Sequence, residues 1–184
     1  MKSFVSIYHF KSYIRYYLQA KSNNYIHSDF VFKWYQAIRQ NSEVIMDSFA
    51  KELIGFFSTT SIEYIIRTRH YLNVKDWFIL NDRNFIDFFE NKNQEYLWTS
   101  KLNFLVISSK AASKLDCKLI PFIQSYLSES SALIMTGIRD SKLSFENWNL
   151  LQANEGFNIT IDFGDLGFLF RINNRSPKQH FILR

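Results

Sequence analysis

The chain has 184 residues, of which 47% are hydrophobic and 18% aromatic, with five glycines, two prolines and a single cysteine. That length suits one domain with a substantial core, and the composition excludes both a disordered chain and a disulfide-stapled scaffold. The formal charge of +5 is uneven: residues 1–40 carry six Lys/Arg against Asp29 alone, residues 171–184 carry four against none, and the body between is net acidic.

The first third has helical periodicity. Ile7, Phe10, Ile14, Tyr17 and Leu18 recur at three- and four-residue steps and predict one apolar face. The run from Phe4 to Phe10 is broken by Ser6 and His9 before Lys11, unlike a secretory leader. After Lys21–Tyr25, Ser28 or Asp29 can cap a second helix whose stripe is Val31, Trp34, Tyr35 and Ile38. A third follows, with Met46, Phe49, Leu53 and Phe56 inward.

From residue 61 short apolar runs bounded by polar clusters predict strands at Ile62–Ile66, Trp77–Leu80, Phe104–Ile107 and Ala132–Met135. The last two lack polar alternation, as strands covered by helices on both faces do. Two helical patterns lie among the strands, one after Leu80 with Phe85, Ile86 and Phe89, the other after Ile107 with Leu115, Leu119, Ile123 and Leu127, the latter kinked or started by Pro121. Phe157, Ile159, Ile161 and Phe163 then alternate with Asn158, Thr160 and Asp162, and a connection at Gly164 and Asp165 leads to Leu166–Phe170. A parallel crossover needs about a dozen residues, so these two runs form an antiparallel pair, expected at the sheet edge.

Candidate chemistry is sparse. Cys117 is alone, and His9, His27, His70 and His180 are too scattered for zinc-ligand spacing. His27, Ser28 and Asp29 offer base, nucleophile and acid, but neighbours on one turn cannot form the directed hydrogen-bond chain of a triad, and capping explains Ser28 and Asp29 better. Asp162 and Asp165 flank a tight turn, where Asp is at home. Lys11, Arg15, Lys21, Lys33 and Arg39 lie among Tyr13, Tyr16, Tyr25 and Trp34, a mixture that could stack on bases and contact phosphates, although core packing with basic residues facing water explains it as well. No apolar stretch approaches the roughly 20 residues of a membrane span, and the cytoplasm is the expected compartment.

Several strings carry a resemblance. His27-Ser28-Asp29-Phe30-Val31-Phe32 follows a basic aromatic helix ending Tyr17-Leu18-Gln19-Ala20-Lys21. Ser141, Ser144 and Trp148 are spaced along a later helix, and Asn158 to Phe170 precede Lys178-Gln179-His180-Phe181. These resemble one branch of the class I S-adenosylmethionine-dependent methyltransferases, the O-methyltransferase-like branch, in its His-Ser-Pro-Phe-Val-Phe entry segment, its Ser-x-x-Met-x-x-Ala-Trp helix and its last hairpin and terminal strand. The resemblance covers residues 1–40 and about 103–184, and the chain is shorter than that family's usual domain. It implies a single α/β domain, with a helical N-terminal segment (1–58) ahead of a Rossmann-like, partly parallel sheet ending in an antiparallel hairpin (59–184).

The departures matter as much. The resemblance implies a glycine-rich turn after the first strand, because only glycine lets the backbone approach the methyl donor closely. The turns available read Arg67-Thr68-Arg69-His70 and Asn81-Asp82-Arg83-Asn84. Ile107-Ser108-Ser109-Lys110-Ala111 stands where the family has Ile-Asp-Gly-Asn-His, and Thr136-Gly137-Ile138-Arg139-Asp140-Ser141 where it has Asp-Asp-Ile-His-Trp-Ser. Carboxylates that would hold a metal or favour a sulfonium cation are thereby lost, and Arg139 would repel the cation. Asp82 could hydrogen-bond the cofactor's ribose, or simply cap the Phe85 helix.

Three expectations follow: a shortened, non-catalytic methyltransferase-like protein acting as a binding or oligomerisation partner, of itself or of an active relative; an active O-methyltransferase holding S-adenosylmethionine through a non-standard pocket that includes Asp82; or a basic module for nucleic acid or another anionic surface.

Overall fold

The computed structural model describes residues 7–20, 26, 28–40, 47–54, 59–74, 76–80, 102–115, 123, 127–172 and 177–184. Four helices come first: α1 (Ile7–Gln19), α2 (Asp29–Arg39), α3 (Ser48–Leu53) and α4 (Thr59–Tyr71). Ser28 is the N-cap of α2, its hydroxyl accepting from the Val31 N–H at 3.4 Å, and the expected stripe of Val31, Trp34, Tyr35 and Ile38 is buried. Asp47 caps α3, accepting from the Ala50 N–H at 2.9 Å.

The sheet is α/β in character and has six strands among the described residues: β1 (Phe78–Leu80), β2 (Leu102–Ile107), β3 (Leu127–Thr136), β4 (Ile159–Phe163), β5 (Leu166–Arg171) and β6 (Gln179–Ile182). Helix α5 (Ser109–Leu115) follows β2, and α6 (Lys142–Ala153) joins β3 to β4. The spatial order is β1-β2-β3-β5-β4-β6. β1, β2 and β3 are mutually parallel; β5 runs antiparallel to both β3 and β4; and β6 is parallel to β4.

Alternation along the strands feeds two cores. Phe104, Val106, Ala132, Ile134, Phe168 and Phe170 face α2, α3 and α4. Their neighbours Leu105, Ile107, Leu133, Met135 and Leu169 face α5 and α6. With both faces covered, no polar alternation is needed in β2 or the second half of β3. Aromatic packing is dense on the first face, where Trp34 stands edge-on to Phe168 at 4.8 Å between ring centroids. Its indole N–H donates to Thr68 Oγ1 at 3.1 Å, so neither buried polar group is stranded.

Four expectations need correction. Ile62–Ile66 is not a strand but part of α4: Ile62, Ile65 and Ile66 are buried at three- and four-residue steps, and packing against α2 selects the helix over β-branched propensity. On α1, Ile14, Tyr17 and Leu18 are 45%, 59% and 82% exposed, and Tyr16 is the buried residue at 5%. Its hydroxyl donates to the Leu183 carbonyl, which ties α1 to the polar end of the sheet; the side chains of Ile7 and Phe10 lie outside the described set. Leu127 begins β3 instead of ending a helical stripe. The β4–β5 hairpin is not at the edge, because β6 flanks β4, and the supposedly solvent-facing Thr160 and Asp162 are buried. Met46, Phe56, Phe85, Ile86, Phe89, Leu119 and Pro121 lie outside the described residues.

Candidate functional site

Ligands of open α/β sheets gather at the carboxyl ends of the strands. At the ends of β2 and β3, Gly137 turns the chain with φ +62°, in the left-handed region. Ser109, the first residue of α5, donates its hydroxyl to Asp140 Oδ2 at 2.6 Å, and both side chains fill the space over Gly137, where an added methyl would meet Ser109 Oγ at 2.8 Å. An acid therefore does stand at this edge, although the resemblance counts the family's carboxylates there as lost. Asp82 follows directly on β1 and lies outside the described residues, as does His27.

A larger feature lies over β4 and β6. A cleft of about 560 Å³ opens between α1, α6 and the sheet, within the range of small-molecule sites. Pairing explains its floor: Asp162 is opposite Gly167 of β5 and Ile182 of β6, and Thr160 is opposite His180, so these residues share one face. Gly167 has no side chain there, and the benzo end of the Trp148 indole from α6 occupies that space, with Cε3 2.6 Å from where a Cβ would sit.

Arg139, expected to repel a cationic cofactor at the strand ends, turns inward. It is 2% exposed, donates to Asp162 Oδ2 at 2.5 Å and to the Gly164 carbonyl, and lies over the Tyr16 ring at 4.5 Å and the Phe145 ring at 5.8 Å. Burial pushes the Asp162 carboxyl above its ordinary range, and the Arg139 guanidinium limits the rise. Burial and the nearby Asp162 charge likewise raise the Tyr16 phenol. His180 accepts or donates through Nδ1 to Thr160 Oγ1 at 2.9 Å and meets Gln152 Nε2 at 3.1 Å. Desolvation lowers its pKa, outweighing the pull of Asp162, so the ring is neutral at pH 7.

Asp162 and Asp165 do not act as a carboxylate pair. Asp162 holds Arg139, whereas Asp165 accepts from the Tyr13 hydroxyl. Asp29 makes an exposed ion pair with Lys33 at 2.8 Å, the i,i+4 contact of a solvated helix face. Of the N-terminal basic residues, Arg39 packs on Tyr35 and donates to the Arg184 carbonyl, and Lys11 and Arg15 border the cleft. Among the described residues no three His, Cys, Asp or Glu side chains come together as a metal site, and no helix is long and apolar enough to cross a membrane.

Comparison with family models, curated proteins and solved structures returned no match.

Proposed function

We propose that the chain is a methyltransferase-like α/β protein without methyl-transfer activity, working as a binding or oligomerisation partner. The observation that carries this reading is the Ser109–Asp140 contact over Gly137, which fills the carboxyl edge between β2 and β3 with side chains of the protein itself. In sequence, Asn81-Asp82-Arg83-Asn84 follows β1 without the glycine that close approach to a methyl donor requires. Parallel strands ending in an antiparallel hairpin support the family resemblance at the level of architecture, which by itself says little about activity. Ile14, Tyr17 and Leu18, exposed together on α1, support an association surface.

Calorimetric titration of the purified protein with S-adenosylmethionine tests the reading. No heat is expected at millimolar cofactor. Micromolar binding abolished by Asp82→Ala would overturn the reading of a filled cofactor edge and favour the active alternative instead. For the association surface, Leu18→Asp is expected to shift a self-associated species to monomer in sedimentation, and a chain monomeric at all concentrations removes self-association from the proposal.

A further inference from the structure

The cleft over β4 and β6 has a closed floor and open walls. Tyr16, Arg139, Trp148 and Asp162 are each 5% exposed or less, and the Arg139–Asp162 ion pair leaves the floor without net charge. A ligand would therefore meet the walls. On α1 these are Lys11, Arg15 and Gln19, all exposed; on α6 they include Phe145, Asn149 and Gln152. Lys11, Arg15 and Gln19 recur at four-residue steps, so they stand one above another on a single face of the helix.

That stacking places two like charges at the i,i+4 spacing, an arrangement that weakens a helix instead of supporting it. Three other helices carry opposite charges at the same spacing: Asp29 with Lys33 at 2.8 Å, Glu63 with Arg67 at 3.9 Å and Lys142 with Glu146 at 3.4 Å. Helix α1 contains no acidic residue that could do the same. The acids that line the cleft are already engaged, Asp162 by Arg139 and Glu146 by Lys142. Among the described residues no carboxylate pairs with Lys11 or Arg15. Two positive charges are thus left uncompensated, side by side on one wall of a concave site, where a single anion can meet both. The cleft also offers apolar surface, from the half-buried Phe145 and Ile182 and from the alkyl stems of Lys11 and Arg15. Its volume of about 560 Å³ leaves room for an organic body behind the anionic group.

We propose that this cleft binds a small organic anion, its phosphate or carboxylate bridging Lys11 and Arg15 and its apolar body lying against Phe145 and Ile182. The site is independent of the methyltransferase reading: it lies over β4 and β6, whereas Asp82 follows β1 at the other end of the sheet. Failure of either one leaves the other standing.

The test is calorimetry of the full chain at about 50 mM salt, where surface charge is weakly screened, with naphthyl phosphate, naphthoate, the uncharged naphthalenemethanol and inorganic phosphate. At least one of the two naphthyl anions is expected to bind with a Kd below about 1 mM, and the tighter of the two identifies the head group. Naphthalenemethanol and inorganic phosphate should each bind at least about tenfold more weakly, the first for want of charge and the second for want of an apolar body. Lys11→Gln and Arg15→Gln should each weaken binding about three- to tenfold, while the melting temperature stays level or rises, because removing one of two like charges relieves their repulsion. Lys33→Gln, an exposed cation outside the cleft, should leave affinity unchanged. The proposal is overturned if neither anion binds at millimolar concentration, if the neutral alcohol or inorganic phosphate binds equally well, or if Arg15→Glu leaves affinity unchanged. It is also overturned if Lys33→Gln weakens binding as much as Arg15→Gln does, which would mean attraction by overall charge, or if Lys11→Gln and Arg15→Gln each lower the melt by more than about 4 °C, which would place these residues in the support of the fold.

Discussion

Asp47 shows how one side chain joins local structure to packing. It caps α3 through the Ala50 N–H and reaches Arg69 of α4 at 2.5 Å, so the short helix is fixed to the long one. Partial desolvation works against the charged carboxylate, yet the cap and Arg69 prevail and hold its pKa below the ordinary value. A depressed folded pKa means that the native state binds fewer protons than the unfolded one. The stabilisation is therefore present above the unfolded pKa and is lost as pH falls through the folded value. Asp47→Ala is expected to cost about 1–2 kcal/mol in urea denaturation at neutral pH, with the gap from the parent protein closing below pH 4. An unchanged gap in acid would mean that charge contributes nothing at this cap.

The Arg139–Asp162 pair operates under different physics, because both partners are almost wholly removed from water. Truncating either one strands the other, so Arg139→Ala or Asp162→Ala should each cost about 3–5 kcal/mol. Joint replacement by Arg139→Met and Asp162→Leu should recover most of that loss, since no buried charge then remains. If the double variant is as unstable as the sum of the singles, the pair is not an isolated unit. These residues stand out in the sequence only as an arginine that would repel a cationic cofactor and a turn aspartate. Their 23-residue separation spans the whole of α6, and nothing in local pattern announces that they meet.

At the scale of elements, the hairpin and α6 depend on one small residue. Gly167 has ordinary backbone geometry and is required because Trp148 lies against it. Gly167→Ala is expected to cost about 1–3 kcal/mol through overpacking. In a Trp148→Leu background the added cost should fall below about 0.5 kcal/mol, as measured by a double-mutant cycle in urea. An undiminished cost would place the strain in the β4–β5 ladder. Trp148 is conspicuous in the sequence as part of an expected helix; its seat is not, because it is set by the pairing of β4 with β5.

Elements whose own periodicity matches their environment were legible. The stripe of α2 reads directly from Val31, Trp34, Tyr35 and Ile38, and the β4–β5 hairpin from the alternation of residues 157–163 and the short connection at Gly164 and Asp165. The isoleucines of α4 were misread because β-branched residues favour strands in isolation, and only burial against α2 decides otherwise. On α1 the described residues of the expected apolar face, Ile14, Tyr17 and Leu18, are exposed. A tyrosine with a hydroxyl to satisfy suits the polar end of the sheet better than Leu18.

Across the whole molecule the sheet sets the gradient of stability. β2, β3 and β5 are paired on both sides and carry fully buried residues on both faces, whereas β6 is, among the described residues, an edge strand with half-exposed residues. In native-state hydrogen exchange the amides of Val106, Ile134 and Leu169 are expected to exchange last and those of β6 first among the strands. Equal protection in β6 would show that the C-terminal strand belongs to the same cooperative unit as the centre. The sequence by itself determined that residues 104–107 and 132–135 run through a covered sheet, that a hairpin follows, and that a helix starts at Ser28 or Asp29, because each is written in the period of its own side chains. Tertiary structure alone decided the site. The insertion of β5 between β3 and β4, and the docking of α1 by Tyr16 onto the last strand, bring Arg15, Arg139, Asp162 and His180 to one cleft from opposite ends of the chain. Local periodicity fixes which way a side chain faces. Which distant face it meets is fixed by strand order, and no short-range pattern encodes that.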